Sequence, residues 1–89
     1  MGKELKFLAP EPRYIFDREV VAFGGLDGDK RVRCEISEEA LDDHFGGDRK
    51  DEVKAFHANE REIEEIARRR YLAGKTEPDG SVLIRRPDL

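Results

Sequence analysis

The stretch Arg31-Val-Arg-Cys-Glu-Ile-Ser-Glu-Glu-Ala-Leu41 changes its apolar period from two to helical at a single residue, Ser37. Val32, Cys34 and Ile36 alternate with Arg31, Arg33 and Glu35, the pattern of a half-buried strand. Ser37 then offers its hydroxyl as a helix N-cap, and Glu38 and Glu39 place negative charge on the first turn, where the helix dipole favours it. Ile36 and Leu41 occupy the N′ and N4 positions, where two apolar side chains staple the entry of the chain into the helix. A strand thus runs directly into a helix.

N-terminal to this junction, Asp27-Gly28-Asp29 is a tight-turn signal, because Asp-Gly tolerates the positive φ that short hairpins demand. It predicts an antiparallel hairpin between a strand over Glu19–Leu26 and the strand over Arg31–Ile36. Val21 and Phe23 fall on one face of the first of these, Val20 and Ala22 on the other, and Gly24-Gly25 reads as a bulge. Earlier still, Leu5 and Phe7 alternate with Glu4 and Lys6 as a short edge strand stopped by Pro10-Glu-Pro12. Tyr14 and Phe16 are expected in an extended segment folded back on the core.

C-terminal to the junction, Leu41 and Phe45 share one face of a helix that ends at Gly46-Gly47. Asp48 is expected to cap a second, longer helix, Asp48–Ala73. Val53, Phe56, Ile63, Ile66, Ala67 and Tyr71 form its apolar stripe, interrupted by Glu60, and Gly74 is its C-cap. Pro78-Asp79-Gly80 is a turn, and Ser81–Arg85 a last strand ended by Pro87. The order is β-β-β-α-α-β. It predicts a small two-layer α+β domain, with an antiparallel sheet (the hairpin plus N- and C-terminal strands) packed on the long helix.

Eighty-nine residues make a single domain, 1–89, with residues 1–3 and 87–89 expected as mobile ends. A chain of this size buries only about 60% of the surface it exposes when unfolded, so every large apolar residue counts. Charged residues are 43% of the chain, but the apolar ones are patterned, which argues for folding over disorder. A net charge of −4 disfavours general binding to nucleic acid or anionic membrane. One cysteine makes no internal disulfide, in keeping with a reducing, cytoplasmic setting. The start of the chain has no apolar signal-peptide core, Lys6 replaces the Ser or Thr a myristoylation signal wants, and no apolar run reaches membrane-spanning length. Glu4 and Lys6 charge the first strand against self-pairing, from which a monomer is expected.

Three groups of residues are candidates for chemistry. Cys34 would be a nucleophile if His44 or His57 came within hydrogen-bond reach, but its alternation with Val32 and Ile36 reads as a buried, inert thiol. His57, Glu60 and Glu64 lie at helical spacings of three and four and could hold part of a metal site, with Cys34 or His44 completing the set. They read better as a polar flank, with His57 and Glu64 each four residues before an arginine, Arg61 and Arg68. Arg68, Arg69, Arg70, Lys75, Arg85 and Arg86 are the main basic concentration, a candidate interaction patch if the helix end meets the last strand. Dipole complementation and ion pairing to Glu62–Glu65 explain them as well. No phosphate-binding glycine loop is present, so no cofactor is expected.

The chain resembles a family of small uncharacterised bacterial proteins, domain of unknown function 1488, over nearly its whole length. The resemblance rests on Leu5-Lys-Phe7, Val21-Ala-Phe23 before the Asp27-Gly28 turn, Val32-Arg-Cys-Glu-Ile-Ser37 leading into Ala40-Leu41, then Phe45, Phe56, Arg61, Ile63, Ala67 and Asp79-Gly-Ser-Val82. Gly24-Gly25 departs from it. The resemblance implies an α+β domain and no activity. The expectation for function is a non-enzymatic, cytoplasmic accessory or interaction domain with a protein partner of unknown identity. The alternative is a binder of nucleic acid or an acidic partner through the basic patch. A weaker alternative is a small enzyme using Cys34.

Overall fold

The computed structural model describes residues 4–7, 11–46 and 51–89. Its elements are β1 (Arg13–Ile15), β2 (Val20–Asp27), β3 (Lys30–Ser37), α1 (Glu38–His44), α2 (Glu52–Ala58), α3 (Glu60–Leu72) and β4 (Val82–Ile84). The fold is α+β, with the sheet order β1-β2-β3-β4. The Ser37 junction forms as its sequence dictates. Ser37 Oγ accepts the Ala40 amide at 3.1 Å, and both Ile36 and Leu41 are fully buried. The hairpin runs in continuous register from Val20↔Ser37 to Asp27↔Lys30, turning at Gly28 with φ +61°.

Several expectations are corrected. The sheet is mixed, not antiparallel, because β4 lies parallel to β3 (Cys34↔Val82, Ile36↔Ile84). A parallel neighbour needs a crossover of a dozen or more residues, and α1, α2 and α3 supply it. The single long helix over 48–73 is two helices that break at Asn59, whose backbone leaves the helical region (φ −127°, ψ 21°). The Asn59 amide donates to the Ala55 carbonyl at 2.9 Å and to the Phe45 carbonyl at 3.2 Å, tying the end of α2 to the end of α1. Asp48 lies outside the described residues; the cap of α2 is Asp51, whose Oδ1 accepts the Lys54 amide at 2.9 Å.

The Leu5–Phe7 strand reduces to one bridge, in which Lys6 and Leu26 exchange two backbone hydrogen bonds. Finally, Gly24-Gly25 is no bulge, since Gly24 faces Arg33 and Gly25 faces Val32 without interruption. Gly25 has another explanation: a Cβ there would lie 2.7 Å from Leu5 Cδ1 and 3.2 Å from Phe7 Cε1. The missing side chain is the seat on which the N-terminal segment packs.

Tyr14 folds against the core as expected, but Phe16 turns outward in a 3-10 turn, Phe16–Arg18, and is 79% exposed. The turn ends at Glu19, a left-handed corner (φ 53°) whose carbonyl accepts the Glu38 amide at 2.8 Å. The C-terminal residues, expected as a loose end, form a 3-10 turn, Arg86–Asp88, whose Asp88 carboxylate accepts the Arg85 amide at 2.8 Å; residues 1–3 lie outside the described part.

The helices cover one face of the sheet. Phe23 of β2 and Phe56 of α2 meet at 4.8 Å between ring centroids, and Val32, Cys34, Ile36, Ile63, Ala67 and Ile84 close the core around them. α3 ends in a Schellman turn: Gly74 (φ +74°) donates to the Tyr71 carbonyl and Lys75 to the Arg70 carbonyl. Tyr71 reaches from α3 to the hairpin turn, its phenol donating to Asp27 Oδ2 at 2.5 Å.

Two outcomes are expected. Gly25→Ala forces Leu5 off its seat and lowers stability by about 1–3 kcal/mol in urea unfolding. An unchanged midpoint would refute the steric account. The hydrogen bond to Asp27, followed by burial, pushes the Tyr71 phenol from its ordinary 10.0 up to about 12. Because the folded value is raised, this stabilisation is complete below the ordinary value and fades as pH climbs toward the folded one. The stability gap between the protein and Tyr71→Phe should therefore narrow across that alkaline window, measured as urea midpoints against pH.

Candidate functional site

The strand alternation that sends Val32, Cys34 and Ile36 into the core sends Arg31, Arg33 and Glu35 to the other face of the sheet. On β2 the residues of that face are Ala22, Gly24 and Leu26, and Arg13 of β1 stands opposite Ala22. Gly24 carries no side chain and Ala22 a small one, so the middle of the face is low and its margins are raised by long cationic side chains. The result is an open concave surface of about 790 Å³. Lys6, Arg13, Arg18, Arg31 and Arg33 line it, against two carboxylates, Glu11 and Glu35.

These charges are not equivalent. Glu35 is only 2% exposed, and Arg18 holds it with two hydrogen bonds, Nη2 to Oε1 at 2.6 Å and Nε to Oε2 at 3.1 Å. A carboxylate so buried needs such a partner, and the fork of a guanidinium suits it. Arg18 is therefore committed to the fold. Arg13, Arg31, Arg33 and Lys6 form no ion pair among the described residues. Asp79 stands near the Arg33 end. Hydrogen bonds from the Ser81 hydroxyl and amide hold its carboxyl below the ordinary range, with a small contribution from Arg33. Arg31 and Arg33, alternate residues of one strand, repeat at roughly 6.6 Å. Such a face can engage carboxylates or phosphates through planar forks. Among the described residues that line it there is no Ser, Thr or Cys.

The basic residues singled out from sequence are dispersed and matched. Arg68 lies along the N-terminal segment: its Nε donates to the Leu5 carbonyl at 3.0 Å, its Nη1 pairs with Glu65 at 2.5 Å, and its guanidinium stands 5.6 Å from the Phe7 ring centre. Arg69 shares Glu65 at 3.3 Å. Arg70 pairs with Asp88 at 3.3 Å, the contact that joins the end of α3 to the C-terminal turn. Arg85 pairs with Glu77 at 2.9 Å, and Arg86 leaves for α1, pairing with Asp43 at 3.1 Å and Glu39 at 3.7 Å. Lys75 is exposed. Each of the five arginines thus has a carboxylate at hand, and no single basic surface results.

Cys34 is fully buried, and its thiol contacts the Val32 carbonyl at 3.8 Å. Burial, with smaller contributions from the Glu35 and Glu64 charges, pushes the thiol up to about 12. His44 is exposed, stacked edge-on against Phe45. His57 is also exposed and meets Glu60 at 3.4 Å, while Glu64 is half-buried, its carboxyl raised chiefly by burial. Among the described residues, the carboxylates that do converge are Glu38, Asp42 and Glu52, with oxygens within 4.8 Å of one another. An all-oxygen set suits a hard cation rather than zinc. Glu38 and Asp42 are four apart on α1 and could have been noticed; the approach of Glu52 is tertiary.

A thiol this far buried and protonated should react slowly. Labelling of Cys34 by an aromatic disulfide reagent at neutral pH is expected to be complete in urea and at least roughly a hundredfold slower in the native protein. Equal rates would reopen a reactive cysteine.

The comparisons with known proteins agree with this fold. No curated protein matches the chain. The crystal structure of a protein of unknown function from the DUF1488 family of Shewanella loihica PV-4, at 1.60 Å resolution, is similar with a TM-score of 0.81 over 94% of each chain, at 15% sequence identity. That likeness supports the fold alone. The sequence model of the family "Protein of unknown function (DUF1488)" matches residues 5–84, and the chain belongs to that family.

Proposed function

We propose that this chain is a non-enzymatic cytoplasmic interaction domain whose open sheet face binds an acidic partner. The observation that carries this reading is the contrast between two arginine groups. Arg68, Arg69, Arg70, Arg85 and Arg86 are spent on carboxylates of the same chain. Arg13, Arg31 and Arg33 stand exposed around a low floor without an ion pair among the described residues. Exposed cations grouped on one face of an acidic protein point to a local recognition surface, since the overall charge of −4 would not draw anions by itself. No acid–base pair or accessible nucleophile faces this surface among the described residues, which supports binding over catalysis. No helix among the described residues is long and apolar enough to cross a membrane.

The test is capture of partners from the host at moderate salt, with nucleic acid digested in a parallel sample. Arg13→Glu/Arg33→Glu should lose the captured partner, and Arg69→Glu/Arg86→Glu should keep it. All four positions are exposed, so circular dichroism should show both variants folded. If the first variant kept its partner and the second lost it, the helix-end patch would replace the sheet face as the site.

A further inference from the structure

Among the described residues, nothing requires a glycine at position 24. Its neighbour Gly25 seats Leu5, and the glycines at 28, 46, 74 and 80 take positive φ. Gly24 does neither: a Cβ there would meet nothing within 4 Å, and its φ is not positive. A mid-strand glycine costs about 0.5–1 kcal/mol relative to alanine. It commonly marks a bulge, a bend or the close approach of a ligand or another backbone, and the unbroken register excludes the bulge.

Lys6 and Leu26 exchange both backbone bonds, at 2.9 and 2.8 Å, so the polar groups of Leu26 point to the N-terminal edge of β2. By strand alternation those of Gly24 point the same way. The pairing of β1 begins only at Arg13↔Ala22, and no described residue supplies Gly24 with a backbone partner on that edge. Arg33 stands directly across from Gly24 on β3, with Arg31 two residues along.

Resting on the reading of this face as an acidic-partner site, we propose that its occupant is an extended acidic polypeptide segment, laid over Gly24 with alternate carboxylates on Arg31 and Arg33 and with Arg13 flanking it from β1. Alternate side chains of an extended chain repeat at roughly 6.6 Å, the repeat of Arg31 and Arg33 on their own strand. The guanidinium fork takes a carboxylate through two bonds. Nucleic acid fits less well. Among the described residues, no exposed aromatic ring lines the groove for a base to stack on, and Glu11 at its margin opposes a dense polyanion.

Fluorescence anisotropy with the full chain tests this, using a labelled alternating Glu-Ser dodecapeptide, its Lys-Ser counterpart and an oligothymidylate of the same length. Gly24→Val fills the floor without changing charge; it suits a strand, and its Cβ meets no atom of the described residues. Arg33→Glu is the independent second variant. The protein should bind the Glu-Ser peptide, and each variant should weaken that binding at least roughly tenfold, about 1.4 kcal/mol. Arg33→Glu should also strengthen binding of the Lys-Ser peptide. Undiminished peptide binding by folded Gly24→Val would overturn the groove occupant. If oligothymidylate bound more tightly, in an Arg33-dependent way, the face would stand as an anion site and the polypeptide inference would fall. No Arg33-dependent binding of either anion would sink both.

Discussion

β3 is the element on which everything else is hung, and its burial is the constraint that organises the molecule. It pairs with β2 on one side and β4 on the other, and Ser37 at its end caps α1. Its inner residues Val32, Cys34 and Ile36 are buried to 2% exposure or less, so its register cannot slip by one residue without sending three arginine or glutamate side chains into the core. That penalty fixes which residues point away from the helices. The same alternation that makes the core therefore makes the arginine face.

The two faces solve their charge problems differently. On the helix side nearly every arginine is answered by a carboxylate within the chain, and exposed pairs of that kind contribute little to stability, typically under about 1 kcal/mol each. They prevent the arginine-rich end of α3 from becoming a basic surface. On the open side one carboxylate, Glu35, is buried and held by Arg18, and that pair locks the Phe16–Glu19 corner over the sheet. Among the described residues, the remaining cations there hold no carboxylate. Membership of the DUF1488 family and the similarity to its solved member establish the architecture.

The parts of the fold legible in the sequence are those controlled by neighbours along the chain. Asp27-Gly28 turned the hairpin, the alternation around Cys34 placed the core strand, and Ser37 opened the helix, because caps and tight turns depend on a few adjacent residues. The break at Asn59 was hidden, since its amide competes with the helix only by reaching Phe45, fourteen positions away. The parallel placement of β4 was hidden too, because strand direction depends on how the intervening helices pack. Gly25 read as a bulge for the same reason: its cause is Leu5, which packs on it from the other end of the segment.

The candidate site divides along the same line. Sequence alone determined that Arg31 and Arg33 share the polar face of a strand and that Cys34 faces inward, since strand periodicity needs no tertiary information. It also showed the density of arginine at the end of α3, but not the carboxylates that answer it, because Asp43, Glu77 and Asp88 arrive from elsewhere in the chain. Only the tertiary structure decided that Arg13 joins Arg31 and Arg33 around Gly24. Cross-strand register brings them together, and register is set by the burial of the opposite face.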